Sequence, residues 1–218
     1  MKRRALVLGA TGLIGKEVVQ MLLNSSKYEQ VTVLVRKNLL FQHAKLKQVA
    51  VNFDELDRYE SYFAVDDVYS CLGTTIKKAK TKENFKRVDY DHTLHAAKIA
   101  EKQGVKNFLT VTAMGANSKS MFFYNRVKGD VEQELQKLHI KGIHIFRPSL
   151  LLGERQEFRF GEKVAEGITR VFSFLFVGPL RKYKPISGKQ VALGMYITAL
   201  QQKPGVHIYE SDVIQGMK

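Results

Sequence analysis

A doubly wound α/β fold, a parallel sheet of the Rossmann type, is predicted by three features of this sequence. Apolar segments of strand length alternate with amphipathic segments of helix length over most of the chain. The first strand candidate, Ala5-Leu6-Val7-Leu8, runs directly into Gly9-Ala10-Thr11-Gly12-Leu13-Ile14-Gly15. That stretch in turn opens Lys16 to Leu23, where Val18, Val19, Leu22 and Leu23 recur at helical spacing. In a strand–turn–helix setting each glycine has a separate role. Gly9 lets the chain turn, Gly12 lets backbone approach a pyrophosphate, and Gly15 lets the helix pack on the strand. The free N–H groups and dipole of the first helical turn favour phosphate, so Thr11, Leu13 and Ile14 join the three glycines as cofactor-binding candidates. Three glycines alone also fit an ordinary tight turn; their context points to a dinucleotide.

Further strand candidates are Val31 to Val35, Gln48 to Val51, Asp67 to Cys71, Asn107 to Thr112 and Gly142 to Phe146. Helices are expected at Gly15 to Asn24, Phe85 to Gln103 and Phe123 to Leu138, with a short one at Leu56 to Phe63. Alternation of this kind implies right-handed crossovers and ligand binding at the carboxyl ends of the strands. After Pro148 the pattern loosens. Phe158 to Val177 mixes charges with aromatics, Gln190 to Leu200 reads as a helix and Val206 to Tyr209 as a last strand. No linker or repeat intervenes, so residues 1–218 read as a single domain in which residues 149–218 form a small substrate-side lobe.

Length and composition narrow the function. A chain of 218 residues fills one core. No apolar run approaches the ~18 residues of a spanning helix. The basic start Met1-Lys2-Arg3-Arg4 precedes an apolar segment that breaks at the glycines, too short for a signal peptide, and Cys71 is the lone cysteine; a cytoplasmic protein is expected. The net charge of +14 invites a nucleic-acid reading, but the basic residues are spread along the chain, so no nucleic-acid partner is expected. Val171 to Phe176 beside Arg181 to Lys184 fits a core segment or a lid better than a membrane-docking surface. No metal site is assigned.

The end of the second strand speaks to the nucleotide. An acid there would hold the ribose hydroxyls of NAD; instead Arg36 and Lys37 follow Val35, and no Asp or Glu occurs from Val31 through Phe53. A guanidinium suits a ribose phosphate, so NADP is the expected cofactor, although basic residues also suit a solvated strand end. Asp54 fits either an adenine amino group or a helix N-cap.

Tyr124 and Lys128 lie four residues apart, on one face of the helix expected there. A phenol with pKa near ~10 is a poor acid–base at neutral pH unless a cation favours its phenolate. Thr112, at the end of a strand, offers a hydroxyl to a substrate carbonyl. About one Tyr-x-x-x-Lys is expected by chance in such a chain; position after the fifth strand raises this one.

Taken together, GATGLIG at 9–15, Cys71-Leu72-Gly73-Thr74-Thr75, Val88-Asp89, Gly115-Ala116 before Tyr124-Asn125-Arg126-Val127-Lys128-Gly129, and Phe146-Arg147-Pro148 followed by Arg155-Gln156-Glu157 carry a family likeness. The chain resembles an atypical short-chain dehydrogenase/reductase, within the group of the Tat-interacting oxidoreductase and its epimerase-like bacterial relatives. The resemblance implies an NADP(H)-binding Rossmann fold in which Leu72, Gly73 and Thr74 line the cofactor. It makes Tyr124 the acid–base, Lys128 the ribose-holding partner, and Pro148 with Ser149 the border of the nicotinamide. One departure stands out: the family's usual serine falls at or next to Thr112, whose extra methyl restricts its rotamers.

Two functions follow. The first is an NADP(H)-dependent oxidoreductase acting on a small carbonyl or alcohol; an epimerase needs a larger C-terminal lobe than the ~70 residues after Pro148 supply. The second is an NADP(H)-binding sensor with little turnover. A homodimer, with Phe85 to Gln103 as a pairing surface, is compatible with both.

Overall fold

The computed structural model describes residues 2–152 and 178–218. Its strands are β1 (Arg3–Leu8), β2 (Tyr28–Val35), β3 (Leu46–Ala50), β4 (Asp67–Ser70), β5 (Asn107–Val111), β6 (Gly142–Arg147), β7 (Leu151–Leu152), β8 (Ile186–Ser187) and β9 (Gly205–Glu210). Among the described residues, seven strands form one sheet in the order β3-β2-β1-β4-β5-β6-β9, and β7 pairs with β8. Every adjacent pair in the sheet is parallel. The fold is the doubly wound α/β architecture that the alternation predicts.

The helices are α1 (Leu13–Asn24), α2 (Ile76–Ala79), α3 (Lys82–Lys86), α4 (His92–Lys102), α5 (Phe123–Leu135), α6 (Gly188–Gln201) and α7 (Ser211–Gly216). A parallel sheet must be covered on both faces. On one face Val18, Val19 and Leu22 of α1 pack with Val191 and Met195 of α6. On the other, Leu56 and Phe63 pack with Ala96 and Ile99 of α4 and Val131 and Leu135 of α5. Thus α6 and β9, both from the expected C-terminal lobe, are built into the layers of the sheet. Phe158 to Val177, expected to shape the substrate side, lie outside the described residues, as do Arg155-Gln156-Glu157.

Element ends differ from the periodicity in ways that polar contacts explain. The expected long helix from Phe85 divides into α3, a π turn over Arg87–Asp91, and α4. The segment expected at Leu56 to Phe63 is a 3-10 helix over Phe53–Phe63. Its cap is Asn52, whose side chain accepts from the Asp54 N–H at 3.1 Å, so Asp54 is not the N-cap. Strands β1 and β2 start earlier than expected, at Arg3 and Tyr28. Both side chains are drawn to buried Asp67, which accepts from Arg3 at 2.6 and 2.5 Å, from the Tyr28 hydroxyl at 2.7 Å and from Asn107 at 2.7 Å. This network ties four strands at their amino ends, opposite the ligand-binding edge.

His144 of β6 is fully buried and stacks on His207 of β9, with ring centroids 5.4 Å apart. Burial, helped by His207 and Lys203, pushes its pKa down to about 4. The folded protein therefore holds a neutral imidazole that the unfolded chain would protonate below pH ~6.5. The stability this contributes is present above pH ~6.5 and is lost as pH falls toward 4. The melting temperature should decline over that interval, and His144→Gln should flatten the decline. An equally steep decline in the variant would assign it to other groups.

Candidate active site

The chain leaves β1 for β2 on one side and reaches β4 on the other, which opens a crevice above β1 and β4. A cavity of about 510 Å³ occupies it, a size suited to a small-molecule ligand. Gly9, Thr11, Gly12 and Leu13 form one wall, Arg36 and Asp54 a second, and Leu72, Gly73 and Thr74 a third. Nine of the sequence-derived candidates thus meet in one place.

The glycines are accounted for by contact. Gly9 has φ +77°, and a Cβ there would lie 2.4 Å from the Cys71 carbonyl oxygen. A Cβ on Gly15 would lie 2.1 Å from the Gly9 oxygen, so Gly15 seats α1 against the turn and does not itself line the cavity. Nor does Ile14, which is buried. Gly12 caps α1 with ordinary φ −78°, and a Cβ on it would approach the Gly9 oxygen at 3.3 Å. No side chain caps α1 and no acid stands in its first turn. Its leading N–H groups therefore suit an anion, and a dinucleotide pyrophosphate fits this cradle.

Much of the polar lining of the cavity is basic. Arg36 lines it; Lys37 is exposed and is not among the wall residues. Lys16, Lys78, Arg87 and His92 also line it. Sequence reasoning missed these four, because their only local signal is charge on a helix. Asp54 is engaged by His92 at 2.9 Å and Arg87 at 3.4 Å. The hydrogen bond from His92 holds its carboxyl below the usual range.

Behind Gly73 lies a buried ion pair. The Lys128 ammonium sits 2.7 Å from Asp89 Oδ1, with side-chain exposures of 5 % and 1 %. Asp89 Oδ2 accepts from the Thr74 N–H at 2.8 Å. A Cβ added to Gly73 would come within 3.4 Å of Asp89 Oδ1 and 3.9 Å of Lys128 Nζ. The backbone of Gly73 and Thr74 is thus the part of the cavity wall that borders this pair. Tyr124, one turn before Lys128 on α5, is half-buried and packs on Phe85 with ring centroids 5.5 Å apart.

The remaining candidates are placed differently. The Thr112 hydroxyl donates to Glu132 Oε1 at 2.5 Å, and Arg147 grips the same carboxylate through Nε and Nη2. The Thr112 hydroxyl, expected to meet a substrate carbonyl, is placed here against a carboxylate that is itself 2 % exposed. Ser149 donates to the Lys184 carbonyl at 2.5 Å and accepts from Ser211 at 2.9 Å, and the Pro148 carbonyl accepts from the Met114 N–H at 3.0 Å. Thr112, Tyr124, Lys128, Pro148 and Ser149 do not line the cavity. Sequence reasoning gave neither Asp89 nor Glu132 a role: Asp89 stands there only within the Val88-Asp89 likeness, and a buried acid on a helix has the same local spacing as a solvated one.

Comparison with known proteins completes the picture. A family model described as NAD(P)H-binding matches residues 9–147. The chain belongs to this NAD(P)H-binding family. It is 38% identical over 163 residues to Protein HTATIP2 of Rattus norvegicus, covering 73% of this chain and 67% of that protein. It is 36% identical over 168 residues to Protein FMP52, mitochondrial, of Candida albicans, covering 74% of this chain and 73% of that one. Among solved structures, MoeE5 in complex with UDP-glucuronic acid and NAD superposes with a TM-score of 0.72 at 15% identity, over 94% of this chain and 75% of that one. The Bordetella bronchiseptica enzyme WbmG in complex with NAD gives a TM-score of 0.69 at 14% identity, over 96% and 73%. At such identities these two likenesses carry the fold.

The family names correct one expectation. Relatives in Candida albicans, Scheffersomyces stipitis and Debaryomyces hansenii are named as mitochondrial, which points away from a cytoplasmic setting. A single cysteine excludes an intrachain disulfide in any compartment, so it never discriminated between them. No helix among the described residues is long and apolar enough to cross a membrane.

Proposed function

We propose that this family member is an NADP(H)-dependent oxidoreductase that moves a hydride to or from a small carbonyl or alcohol. The observation that carries this reading is the placement of Lys128 behind Gly73, on the helix that presents Tyr124 one turn earlier. When bound, the dinucleotide supplies or accepts the hydride. The leading N–H groups of α1 hold its pyrophosphate, Arg36 with the nearby Lys37 holds the ribose phosphate, and Lys128 holds the nicotinamide ribose. Tyr124 gives or takes the proton. Because the Thr112 proton is held by Glu132, the Tyr124 O–H also polarises the substrate oxygen. A panel of small carbonyl compounds, assayed for NADPH consumption, tests the reading.

Cofactor choice follows from the basic strand end. NADPH should bind more tightly than NADH, and Arg36→Ala should shrink the preference by about 1.5–3 kcal/mol, the usual contribution of a charge-assisted hydrogen bond. Titration calorimetry with both nucleotides checks this; equal affinities in the unmutated protein would refute it.

A second reading, a dinucleotide sensor with little turnover, is favoured by the same commitment of Thr112 to Glu132, which removes one donor from the catalytic set. Tight NADPH binding with no carbonyl turnover would select it.

A further inference from the structure

We propose that Asp89 is a positioning residue of this site. It holds the Lys128 ammonium and the Thr74 amide against the cavity wall at Gly73, and so maintains the charge that Lys128 presents to the dinucleotide ribose. The inference deepens the reading of Lys128 given above and rests on it.

Three elements meet at this carboxylate. Asp89 lies in the π turn between α3 and α4, Thr74 in the loop after β4, and Lys128 on α5. The two oxygens are used separately, with Oδ1 facing the ammonium at 2.7 Å and Oδ2 receiving the Thr74 N–H at 2.8 Å. A π turn adds one residue to a helical turn, and this one lies where α3 passes into α4 beside the site. Burial disfavours an ammonium unless a counter-charge stands nearby. On its own helix Lys128 is flanked by Tyr124 one turn before and Glu132 one turn after. Glu132 is taken by Arg147 and Thr112. In the loop that carries Gly73, Cys71 remains a neutral thiol, pushed up to about 12 by burial. Asp89, across the helix interface, supplies a neutralising charge at 2.7 Å.

Asp89→Asn isolates the charge, since the amide keeps the size and an oxygen for the Thr74 N–H. Without the carboxylate, the buried ammonium loses its proton at lower pH. Dinucleotide affinity, taken as the ratio of variant to unmutated protein so that the ligand's own titration cancels, should fall about tenfold or more near pH ~9. It should recover as pH is lowered to ~6, where Lys128 is protonated again. Lys128→Met should be weak at every pH, and adding Asp89→Asn to it should change affinity no further.

An affinity ratio of one across the range would overturn the proposal, and so would a loss of equal size at every pH, the mark of a merely structural carboxylate. Should Asp89→Asn not fold, the double variant Asp89→Asn/Lys128→Met, which buries no lone charge, carries the test. Affinity equal to that of Lys128→Met supports the proposal and a further loss overturns it. The readout is binding of NADPH or NADH, so a lack of turnover would remove the oxidoreductase reading without touching this comparison.

Discussion

Tyr124→Phe should lower carbonyl turnover by about 100-fold or more, the usual contribution of a positioned general acid. The ring, and with it the packing on Phe85 at 5.5 Å, is retained, so the variant should still fold. Dinucleotide affinity should also change little, because the phenol is proposed to act on substrate rather than on cofactor. The loss should therefore appear in kcat and kcat/KM together, as for an interaction made in the transition state. Undiminished activity in the variant would remove Tyr124 from the mechanism and leave the fold untouched.

The second large effect concerns the turn. Gly12→Val should weaken binding of either nucleotide by about 100-fold or more, equivalent to about 3 kcal/mol. Gly12 has an ordinary backbone conformation, so the substitution is not barred by φ, and its Cβ would press only on the Gly9 oxygen at 3.3 Å. The rest of the side chain would occupy crevice that the pyrophosphate needs. Circular dichroism should show a folded protein, and titration with NADPH and NADH should show little binding. Retained affinity in a folded variant would mean that the dinucleotide does not cross this turn. By contrast, substitutions at Gly9 or Gly15 should damage folding as well, since a Cβ at either would meet backbone at 2.4 Å or less.

Much of this molecule is legible in one dimension, because its determinants are local. Strand and helix periods, the order of elements and the glycine turn are set by neighbours a few residues apart. So are the basic strand end at Arg36 and the one-turn spacing of Tyr124 and Lys128. The nine candidates that line the cavity come from segments that end a strand, and the rule that ligands bind at carboxyl ends of parallel strands was enough to select them.

What the tertiary structure decided is where polar side chains spend their hydrogen bonds. From sequence, Thr112 is a hydroxyl at a strand end; only the packing of α5 against β5 and β6 shows its proton given to Glu132. Asp54 reads equally as a cap or an adenine partner until Asn52, His92 and Arg87 are seen around it. Asp89 enters the sequence reading only within the Val88-Asp89 likeness and with no role, yet it pairs with Lys128, 39 positions along the chain, to within 2.7 Å. The physical reason is one of range. Backbone conformation and apolar period are governed by contacts within a turn or a pleat. Burial and pairing of a charge depend on which segments the fold brings together, and a buried charge is stable only when that distant partner arrives.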